Sequence, residues 1–452
     1  MRKIFGITAA VAALAVGYAY FVDPRFIWLG STTTDLALLG ALAKLTALPG
    51  LLALAGIAVL AASWRWHQQL ALAVAPLDHD GAVQLVRYPS VTIVRPVRGR
   101  DVGAEDNFRA ALDTGYPGDV ETLFVFDDNN DPGLPVARAV VAEHRALRRP
   151  GRADVIVAGS PPPGRTGKLN AMIVGAERAS GSLIGFGDSD TRPDRNVLRG
   201  VVEALKTTPG AGAAFAPVLV NQAPTAAGDA LYAVMQNAMY SPLAAQAAGP
   251  KRTLPFIMGQ LMVFERHALD AIGGVRAAQG QLVDDMAIGR ALHEAGYLNV
   301  MSRAPLHIAT GGMTLREFIP VYRRWMLFSK NGLPLSFTWR QWMTGMAFYG
   351  ALVIAMAALA TGGWAAALPA FAAAGFVGVS QLVLQRRYGG APIPLRMAWV
   401  AWGVFLLAPA ILVSNWLRRD VAWRGRVYAV DTKAALATVV AHEPLTAGRR
   451  VA

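Results

Sequence analysis

The sequence predicts an α/β domain with a mostly parallel β-sheet, flanked along the chain by transmembrane helices. Of the 452 residues, 54% are hydrophobic and only 16% are charged, a composition too apolar for an ordinary soluble protein. The apolar residues concentrate in segments 4–22, 36–62, 341–384 and 397–417, whereas the residues between the second and third segments carry most of the charge. A water-exposed domain is therefore expected between membrane segments.

The middle of the chain alternates between short apolar runs, bounded by turn residues, and segments with a helical pattern. This alternation predicts crossover units, which form a mostly parallel sheet with helices on both faces. Ligands bind such sheets at the carboxyl ends of the strands, so functional residues are expected directly after the apolar runs. In chain order, the predicted strands and helices are residues 90–94, 107–112, 122–126, 134–147, 154–157, 169–179, 183–186 and 196–206.

The same pattern divides the chain into five parts. A transmembrane helix needs about 20 apolar residues, and a helix that mixes basic and aromatic residues is typical of the membrane interface. The predicted parts are N-terminal transmembrane segments at 1–66 (spans at about 4–22 and 45–62), a cytoplasmic α/β domain at 67–313, an interfacial amphipathic helix at 314–338, C-terminal transmembrane segments at 339–417 and a basic cytoplasmic tail at 418–452.

Lysine and arginine residues cluster beside the apolar segments, for example Arg2, Lys3 and Arg65. By the positive-inside rule, this predicts a multi-pass protein of a bacterial inner membrane, with the central domain and the tail in the cytoplasm. Three apolar stretches follow the domain, and three full spans would leave the basic tail on the opposite side. One of the stretches is therefore expected to be re-entrant or interfacial; the three are residues 342–359, 364–384 and 397–417.

The net charge of +13 does not indicate a nucleic-acid partner, because no basic stripe interleaved with aromatic residues is present in the sequence. The charge fits attraction to an anionic lipid leaflet instead. The chain contains no cysteine, which excludes disulfides, thiolate zinc sites and a cysteine nucleophile and favours a reducing compartment.

Two acidic clusters follow predicted strands. Asp127-Asp128 follows the run 122–126; aspartate is a common turn residue, and recognition of a uridine and its ribose is the functional alternative. Asp188 and Asp190 follow the run 183–186. Two carboxylates at this spacing are able to bind one Mg²⁺ or Mn²⁺ that bridges the oxygens of a diphosphate.

A lysine and a third acidic cluster open predicted helices. Lys168 either meets a donor phosphate or lies in solvent at its helix end, and the glycines around it do not form a Walker loop. Asp284 and Asp285 open an amphipathic helix, where helix capping alone favours carboxylates. Adjacent carboxylates also raise one another's proton affinity, which a general base for an acceptor hydroxyl requires.

The order of these features over roughly residues 90–428 resembles the membrane glycosyltransferases with a nucleotide-diphospho-sugar (GT-A) domain. Within that group the sequence is most similar to the ceramide glucosyltransferase-like family (family 21, related to family 2) and to hopanoid-associated lipid glycosyltransferases. The motifs that carry the likeness are Pro96-Val97-Arg98-Gly99, Tyr116-Pro117, Asp128 with Asp131-Pro132, Ala268-Leu269-Asp270-Ala271-Ile272-Gly273-Gly274 and Trp423-Arg424-Gly425-Arg426-Val427-Tyr428.

The resemblance implies a UDP-sugar donor and a Mg²⁺ or Mn²⁺ cofactor. It implies that Asp128 lies at the uridine, that Asp188 and Asp190 hold the metal diphosphate, and that Asp285 is the catalytic base with Asp284 beside it. Lys168 is then a donor-binding residue as well.

Arg324 and Trp325 match the end of the Gln/Arg-x-x-Arg-Trp motif, which in this family closes over the diphosphate. The first position of the motif is Val321 here, and Arg323 is a candidate to replace the missing polar side chain. Gly259-Gln260 lies where related enzymes shape the acceptor pocket, with a simple tight turn as the structural alternative.

The implied function is the inverting transfer of glucose or another hexose from a UDP-sugar to a ceramide-like membrane lipid at the cytoplasmic face. One alternative is a hopanoid-associated glycosyltransferase that acts on another lipid. A second is a processive polysaccharide synthase, which requires an intact clamp motif and a fuller channel. Val321 weakens that second alternative.

Overall fold

The computed structural model describes residues 33–74, 84–430 and 436–442. The first predicted span, at 4–22, lies outside the described residues. The chain divides into two compact units. One comprises Met1–Gln69 and Gln341–Gln381, and the other comprises Leu70–Arg340 and Leu382–Ala452.

The second unit is built on an eight-stranded sheet in the order β3-β2-β1-β4-β9-β6-β10-β8. Six of these strands are parallel to one another, while β9 runs antiparallel to β4 and β6, and β8 runs antiparallel to β10. The prediction of a mostly parallel sheet is therefore confirmed. The strands are β1 Val91–Val97, β2 Val120–Phe126, β3 Arg152–Val157, β4 Leu183–Gly187, β5 Thr191–Arg192, β6 Ala211–Phe215, β7 Val218–Leu219, β8 Thr253–Leu254, β9 Leu261–Glu265, β10 Leu298–Met301 and β11 Leu306–Ile308.

Helices connect these strands and continue beyond them. Strands β5, β11 and β7 form a separate small sheet. The helices are α1 Thr33–Ala73, α2 Ala104–Leu112, α3 Leu134–Ala146, α4 Gly167–Arg178, α5 Val197–Thr207, α6 Ala227–Val234, α7 Ser241–Ala248, α8 Arg266–Ala271, α9 Asp284–Glu294, α10 Leu315–Gly332, α11 Leu335–Arg387 and α12 Val400–Leu417, with a π-helix at Met235–Tyr240 and 3-10 turns at Gly274–Ala278 and Leu395–Met397.

Apolar side chains of the large sheet pack against helices on both of its faces. Ile93 of β1 belongs to a buried cluster with Val201 and Leu205 of α5. The next residue, Val94, points to the opposite face because side chains alternate along a strand, and there it lies beside Gly175 of α4. The sheet is therefore buried on both sides.

The register of the sheet brings two of the predicted acidic clusters to the same edge. Val97, at the end of β1, pairs with Phe126 at the end of β2. On its other side β1 pairs in parallel with β4, with Val94 opposite Phe186. The residues that follow β1, β2 and β4 therefore emerge together at the carboxyl edge of the parallel strands.

The longest helix of the first unit consists of two helical arms joined at a break. Helix α11 is interrupted at Gly363, whose φ of 70° and ψ of −165° are not helical, so its two arms are residues 335–362 and 364–387. The break lies beside Pro49 of α1, since a Cβ at Gly362 would be 2.3 Å from the Cβ of Pro49. Further along α1, Trp66 donates a hydrogen bond to Thr344 of the first arm.

The second arm of α11 returns towards the same end of α1. The ring of Phe376 lies 5.6 Å from that of Trp64. Both arms therefore contact the part of α1 that carries Trp64 and Trp66. Three helices among the described residues are long and apolar enough to cross a membrane: Ala47–Ala73, Phe337–Arg387 and Leu395–Leu417.

The last apolar helix, α12, belongs to the second unit and packs against α6 and α10. Its buried side includes Val400, Val404 and Phe405, and Tyr322 of α10 donates a hydrogen bond to the carbonyl oxygen of Val404. After α12 the chain forms a three-stranded antiparallel sheet of β12 Asp420–Trp423, β13 Arg426–Val430 and β14 Leu436–His442.

Candidate active site

A cavity of about 230 Å³ lies at the carboxyl ends of β1, β2 and β4. The starts of α4 and α9, the helix α10 and the turn between β12 and β13 complete its walls. The charged residues that line it are Arg98, Arg100, Asp101, Asp127, Lys168, Asp188, Asp190, Asp284, Asp285, Glu317, Arg324, Arg424 and Arg426.

Lys168 links two of the predicted acidic clusters. Its ammonium group lies 2.8 Å from Oδ1 of Asp188 and 3.7 Å from Oδ1 of Asp284. Burial disfavours the charge of Lys168, but the carboxylates of Asp188, Asp284 and Asp285 outweigh this and raise its pKa. Lys168 is therefore a fixed cation inside the cavity and not a solvated lysine at a helix end.

Asp284 and Asp285 open α9 in different environments. The Asp284 side chain is buried and pairs with Lys168, whereas Asp285 is partly exposed to the cavity. Burial raises the pKa of Asp285 to about 7; Lys168 opposes this shift and the Asp284 carboxylate adds to it. A carboxyl group that titrates near neutral pH and faces a cavity has the properties of a general base.

Backbone groups hold the carboxylate of Asp285 in place. The amide of Gly259 donates a hydrogen bond to Oδ2 at 2.5 Å, and the amide of Met286 donates one to Oδ1 at 2.9 Å. A Cβ at position 259 would lie 2.4 Å from the Cβ of Asp285, so only glycine permits this approach. Gly259 therefore positions Asp285 and does not line the cavity itself.

Substitution Gly259→Ala is expected to displace Asp285 and to lower turnover by more than tenfold, because small misplacements of a catalytic group are costly. Binding of the nucleotide should change little. The control is Gly350→Ala, on α11, where an added Cβ meets no atom within 4 Å. Turnover and nucleotide affinity of both variants check this, and normal turnover of Gly259→Ala would refute the positioning role.

The residues after β4 have the chemistry of a cation site. The loop carbonyl of Asp188 accepts a hydrogen bond from the buried guanidinium of Arg95. Oδ1 of Asp190 is buried without a hydrogen-bond partner among the described residues. Burial and the carboxylate of Asp101 raise the pKa of Asp190 to about 6, although Arg424 opposes the shift. An added cation would satisfy this oxygen.

Two carboxylates suit Mg²⁺ or Mn²⁺ only if other oxygen atoms complete the coordination. Within the described ranges, no group of three or more His, Cys, Asp or Glu side chains is arranged to hold a metal ion. Mg²⁺ is commonly bound through one or two protein carboxylates, with substrate phosphates and waters as the remaining ligands. Asp188 and Asp190 therefore fit a metal that arrives with a diphosphate.

The Arg-Trp pair of α10 reaches the cavity as the motif predicts. Arg324 and Trp325 both line it. The guanidinium of Arg324 lies 6.0 Å from the centroid of the Trp423 ring, and the ring of Trp325 packs 5.0 Å from that of Tyr240. Burial, followed by the nearby positive charge of Arg424, lowers the pKa of Arg324 to about 10.

The expectation that Arg323 replaces the missing motif residue is wrong. Val321 is buried and lines the cavity, but Arg323 does not. Its guanidinium donates to the carbonyl oxygen of Arg418 and lies 4.0 Å from Asp420, because successive helical residues point about 100° apart.

The aspartates of the first acidic cluster have two different roles, in the turn and at the cavity. Asp128 accepts a hydrogen bond from the amide of Asn130, a local turn contact, and does not line the cavity. Asp131 is buried and accepts from the amides of Gly99 and Gly133, so it too stabilises the turn. The neighbour Asp127 lines the cavity instead.

The turn between β12 and β13 is not among the site residues that the sequence predicts. Oδ2 of Asp127 lies 2.8 Å from Arg98 and 2.6 Å from Arg426. Arg424 pairs with Asp101 and lies 3.6 Å from Asp190. The available signal was the short motif Trp423-Arg424-Gly425-Arg426, which supported the family resemblance but not a position in the fold.

Of the residues predicted for the site, most meet in this cavity. Asp128 and Gly259 are the two that do not line it, although Gly259 contacts the catalytic candidate directly. Those that line it are Lys168, Asp188, Asp190, Gln260, Asp284, Asp285, Arg324 and Trp325.

Comparison with known proteins identifies the family. A family model described as glycosyl transferase family 21 matches residues 50–436. The chain is 25% identical over 251 residues to ceramide glucosyltransferase 3 of Caenorhabditis elegans, and this alignment covers 54% of the chain and 52% of that relative. The chain thus spans about half the length of this curated relative.

Solved structures show a more distant likeness. A mannosyltransferase from Pyrobaculum calidifontis, in complex with GDP-Man and Mn²⁺, is 18% identical, with a TM-score of 0.43 over 83% of this chain and 93% of that chain. Glucosyl-3-phosphoglycerate synthase from Mycobacterium tuberculosis, in complex with Mg²⁺ and UDP, is 18% identical, with a TM-score of 0.35 over 54% and 80% of the two chains.

Both TM-scores are below 0.5, so the assignment depends on the sequence match, which extends over most of the chain. The mostly parallel sheet, with its site at the carboxyl edge and its flanking apolar helices, agrees with that match. The chain belongs to glycosyl transferase family 21.

Proposed function

We propose that the protein transfers a hexose from a UDP-sugar to the hydroxyl group of a ceramide-like membrane lipid, with inversion at the anomeric carbon. The observation that carries the proposal is the cluster around Lys168. This one cation holds Asp188, at the predicted diphosphate site, next to Asp284 and the candidate base Asp285. The proposed donor-binding groups and the proposed general base thereby line one small cavity.

In the proposed mechanism, Asp285 accepts the proton of the lipid hydroxyl as its oxygen attacks the anomeric carbon. The bond from that carbon to the diphosphate oxygen breaks, and the electron pair leaves with UDP. Lys168 and Arg324 stabilise the negative charge of the leaving group. Attack from the face opposite the diphosphate converts an α-linked donor into a β-glycoside.

Asp188 and Asp190 are the residues that would hold Mg²⁺ or Mn²⁺. The metal would supply further neutralisation of charge on the departing diphosphate. Asp128 as a contact to the uridine stays a prediction, and Asp127 is the carboxylate of that cluster that faces the cavity.

The walls of the cavity near Asp285 favour an amphipathic acceptor. Met258, Leu282, Met286 and Phe328 line it on the side of α9 and α10. An acceptor with an apolar portion next to its hydroxyl would contact these side chains. Leu406 and Trp416 of α12 are exposed, as is Trp399 directly before it, as expected of a helix that lies in lipid.

We further propose a topology with the catalytic unit and the C-terminal sheet on the cytoplasmic side of the membrane. The two arms of α11 cross the membrane in opposite directions, so the chain after α11 is on the same side as the chain before it. Helix α12, one side of which packs on α6 and α10, is then the re-entrant or interfacial segment. This arrangement keeps Arg424 on the same side as Asp190, as their contact requires.

A panel assay tests the donor and acceptor. The purified protein in lipid nanodiscs would receive UDP-glucose, UDP-galactose, UDP-N-acetylglucosamine or UDP-glucuronic acid, each with ceramide, diacylglycerol or a hopanoid-linked phospholipid. Mass spectrometry should detect a ceramide that has gained one hexose. A product on the hopanoid-linked lipid alone would favour the alternative acceptor, and a polymer would favour a processive synthase.

The pH dependence follows from Asp285, whose pKa is raised by burial to about 7. Only the deprotonated carboxylate accepts a proton, so kcat/KM should increase as the pH rises through about 7 and then level off. The variant Asp284→Asn should move the midpoint to lower pH, because the Asp284 charge raises the pKa of Asp285. A pH profile without this rising limb, or a midpoint that Asp284→Asn moves upward, would contradict the assignment of the base.

A further inference from the structure

The turn between β12 and β13 brings two arginines from near the end of the chain into the cavity. The strands pair from Asp420 opposite Ala429 to Trp423 opposite Arg426, which leaves Arg424 and Gly425 as a two-residue turn. Both turn residues have positive φ angles, 51° for Arg424 and 71° for Gly425. Asparagine or glycine is usual at the first of these positions. An arginine there indicates that its side chain makes contacts that offset the unfavourable backbone conformation.

Of the two terminal nitrogens of Arg424, only Nη1 is held by hydrogen bonds. Its Nη1 donates to the carboxylate of Asp101 and, at 3.2 Å, to the carbonyl oxygen of Arg98. In return, Nε of Arg98 donates to the carbonyl oxygen of Arg424 at 2.6 Å. The other terminal nitrogen, Nη2, lies 3.6 Å from Oδ2 of Asp190, beyond hydrogen-bond distance.

The adjacent strand holds the turn against the start of α4. Arg426 is almost fully buried and forms a salt bridge with Asp127 at 2.6 Å. A Cβ at Gly167 would lie 1.9 Å from Nη1 of Arg426, so this contact requires a glycine next to Lys168. The amide of Gly167 also donates to the hydroxyl of Tyr428. Arg424 is thus anchored beside the helix that carries Lys168.

Arg424 and Arg324 place two positive charges near each other in the cavity. Arg324 forms no salt bridge with an acidic side chain of the described residues, and the charge of Arg424 helps to lower its pKa, after burial. Arg424 is paired with Asp101 and lies near Asp190, so, of these two described side chains, the charge without an acidic partner is that of Arg324. An anion with several oxygen atoms is able to contact both guanidinium groups. Guanidinium groups bind phosphates through parallel hydrogen bonds, which makes a diphosphate the matching ligand.

We propose that Arg424 is a donor-binding residue whose Nη2 contacts the diphosphate next to Asp190, and that the β12–β13 turn is part of the donor site. The inference rests on the proposed UDP-sugar donor. Nη2 of Arg424 faces Asp190, the carboxylate expected to bind the metal diphosphate. The hydrogen bonds of Nη1 to Asp101 and Arg98 keep the side chain in place. Arg426 is a positioning residue, since it holds the turn through Asp127.

The test compares the binding of UDP and of uridine, which lacks the diphosphate, to the detergent-solubilised full chain in the presence of Mg²⁺. Hydrogen bonds to charged groups contribute enough that Arg424→Gln should weaken UDP binding roughly 10–100-fold and leave uridine binding unchanged. The matched control is Arg148→Gln, which replaces an exposed arginine that also has a positive φ, 48°, and should change neither affinity.

Two results would overturn the inference. One is an unchanged affinity for UDP in Arg424→Gln, and the other is an equal loss of UDP and uridine affinity, as expected if the turn only supports the fold. If Arg424→Gln does not fold, Arg424→Lys keeps the charge without the planar fork and should still weaken UDP binding several-fold, whereas wild-type affinity would refute the contact. Failure of the wild-type protein to bind UDP would instead contradict the proposed donor.

Discussion

Asp285→Asn should lower turnover by about 10²–10⁴, the usual contribution of a general base. The amide keeps the shape of the side chain but does not accept the proton of the lipid hydroxyl. Asp285 lies at the edge of the cavity, and the diphosphate is expected at Asp188 and Asp190, so UDP affinity should remain within a few-fold of wild type. Single-turnover rates and UDP titrations measure the two effects separately.

The control for this variant is Asp154→Asn. Asp154 is largely exposed on β3, where it pairs with Arg145, and its loss should leave turnover unchanged. Near-normal turnover of Asp285→Asn would show that another group accepts the proton. A parallel loss of UDP binding would place Asp285 among the donor contacts instead.

Lys168→Met should lower the free energy of unfolding by about 3–5 kcal/mol, the typical cost of removing one partner of a buried ion pair. Only 17% of the Lys168 side chain is exposed, and 4% of the Asp284 side chain. Without the lysine, Asp188 and Asp284 would be left near each other with their charges uncompensated. Urea unfolding of the detergent-solubilised protein, followed by tryptophan fluorescence, measures the loss.

The loss should grow as the pH is raised. Burial raises the pKa of Asp284, and Lys168 opposes this shift, so its removal raises the pKa further. A carboxyl group whose folded pKa lies above its unfolded value stabilises the fold at low pH, and this stabilisation is lost as the pH rises through the folded pKa. A loss that grows towards acidic pH would contradict the arrangement around Lys168.

Lys206→Met is the matched control. Lys206 forms a salt bridge of 2.7 Å with Glu265, but 37% of its side chain is exposed. Exposed pairs contribute about 0–1 kcal/mol, so this variant should unfold almost as the wild type does. If the two lysine variants lost equal stability, the buried cluster would have no special role.

The sequence predicted the first half of the large sheet because those strands are rich in apolar and β-branched residues. It did not predict β6, whose sequence Ala-Gly-Ala-Ala-Phe has low strand propensity, or the reversed strand β9 inserted between β4 and β6. The formation of both strands depends on pairing with strands that are distant in the sequence. The break of α11 was predictable, since two glycines separate its apolar arms.

The acidic clusters of the site were predictable because each follows a strand or opens a helix, where local geometry directs side chains to the sheet edge. Sequence order did not show that Lys168 bridges two of them or that Asp127, not its neighbour Asp128, faces the cavity. Successive side chains of a strand point to opposite faces, but this alternation does not hold in the turn after β2. The sequence therefore did not show which of the two aspartates faces the cavity. Arg424 and Arg426 required the pairing of β12 with β13.

The release of UDP from a UDP-hexose in nanodiscs, measured with and without ceramide and with and without Mg²⁺ or Mn²⁺, tests the central claim most directly. The proposed lipid glycosyltransferase should release UDP only when both lipid and metal are present, in proportion to the glycolipid formed. UDP release that is indifferent to the lipid, or lipid-dependent release without a glycolipid product, would contradict the claim.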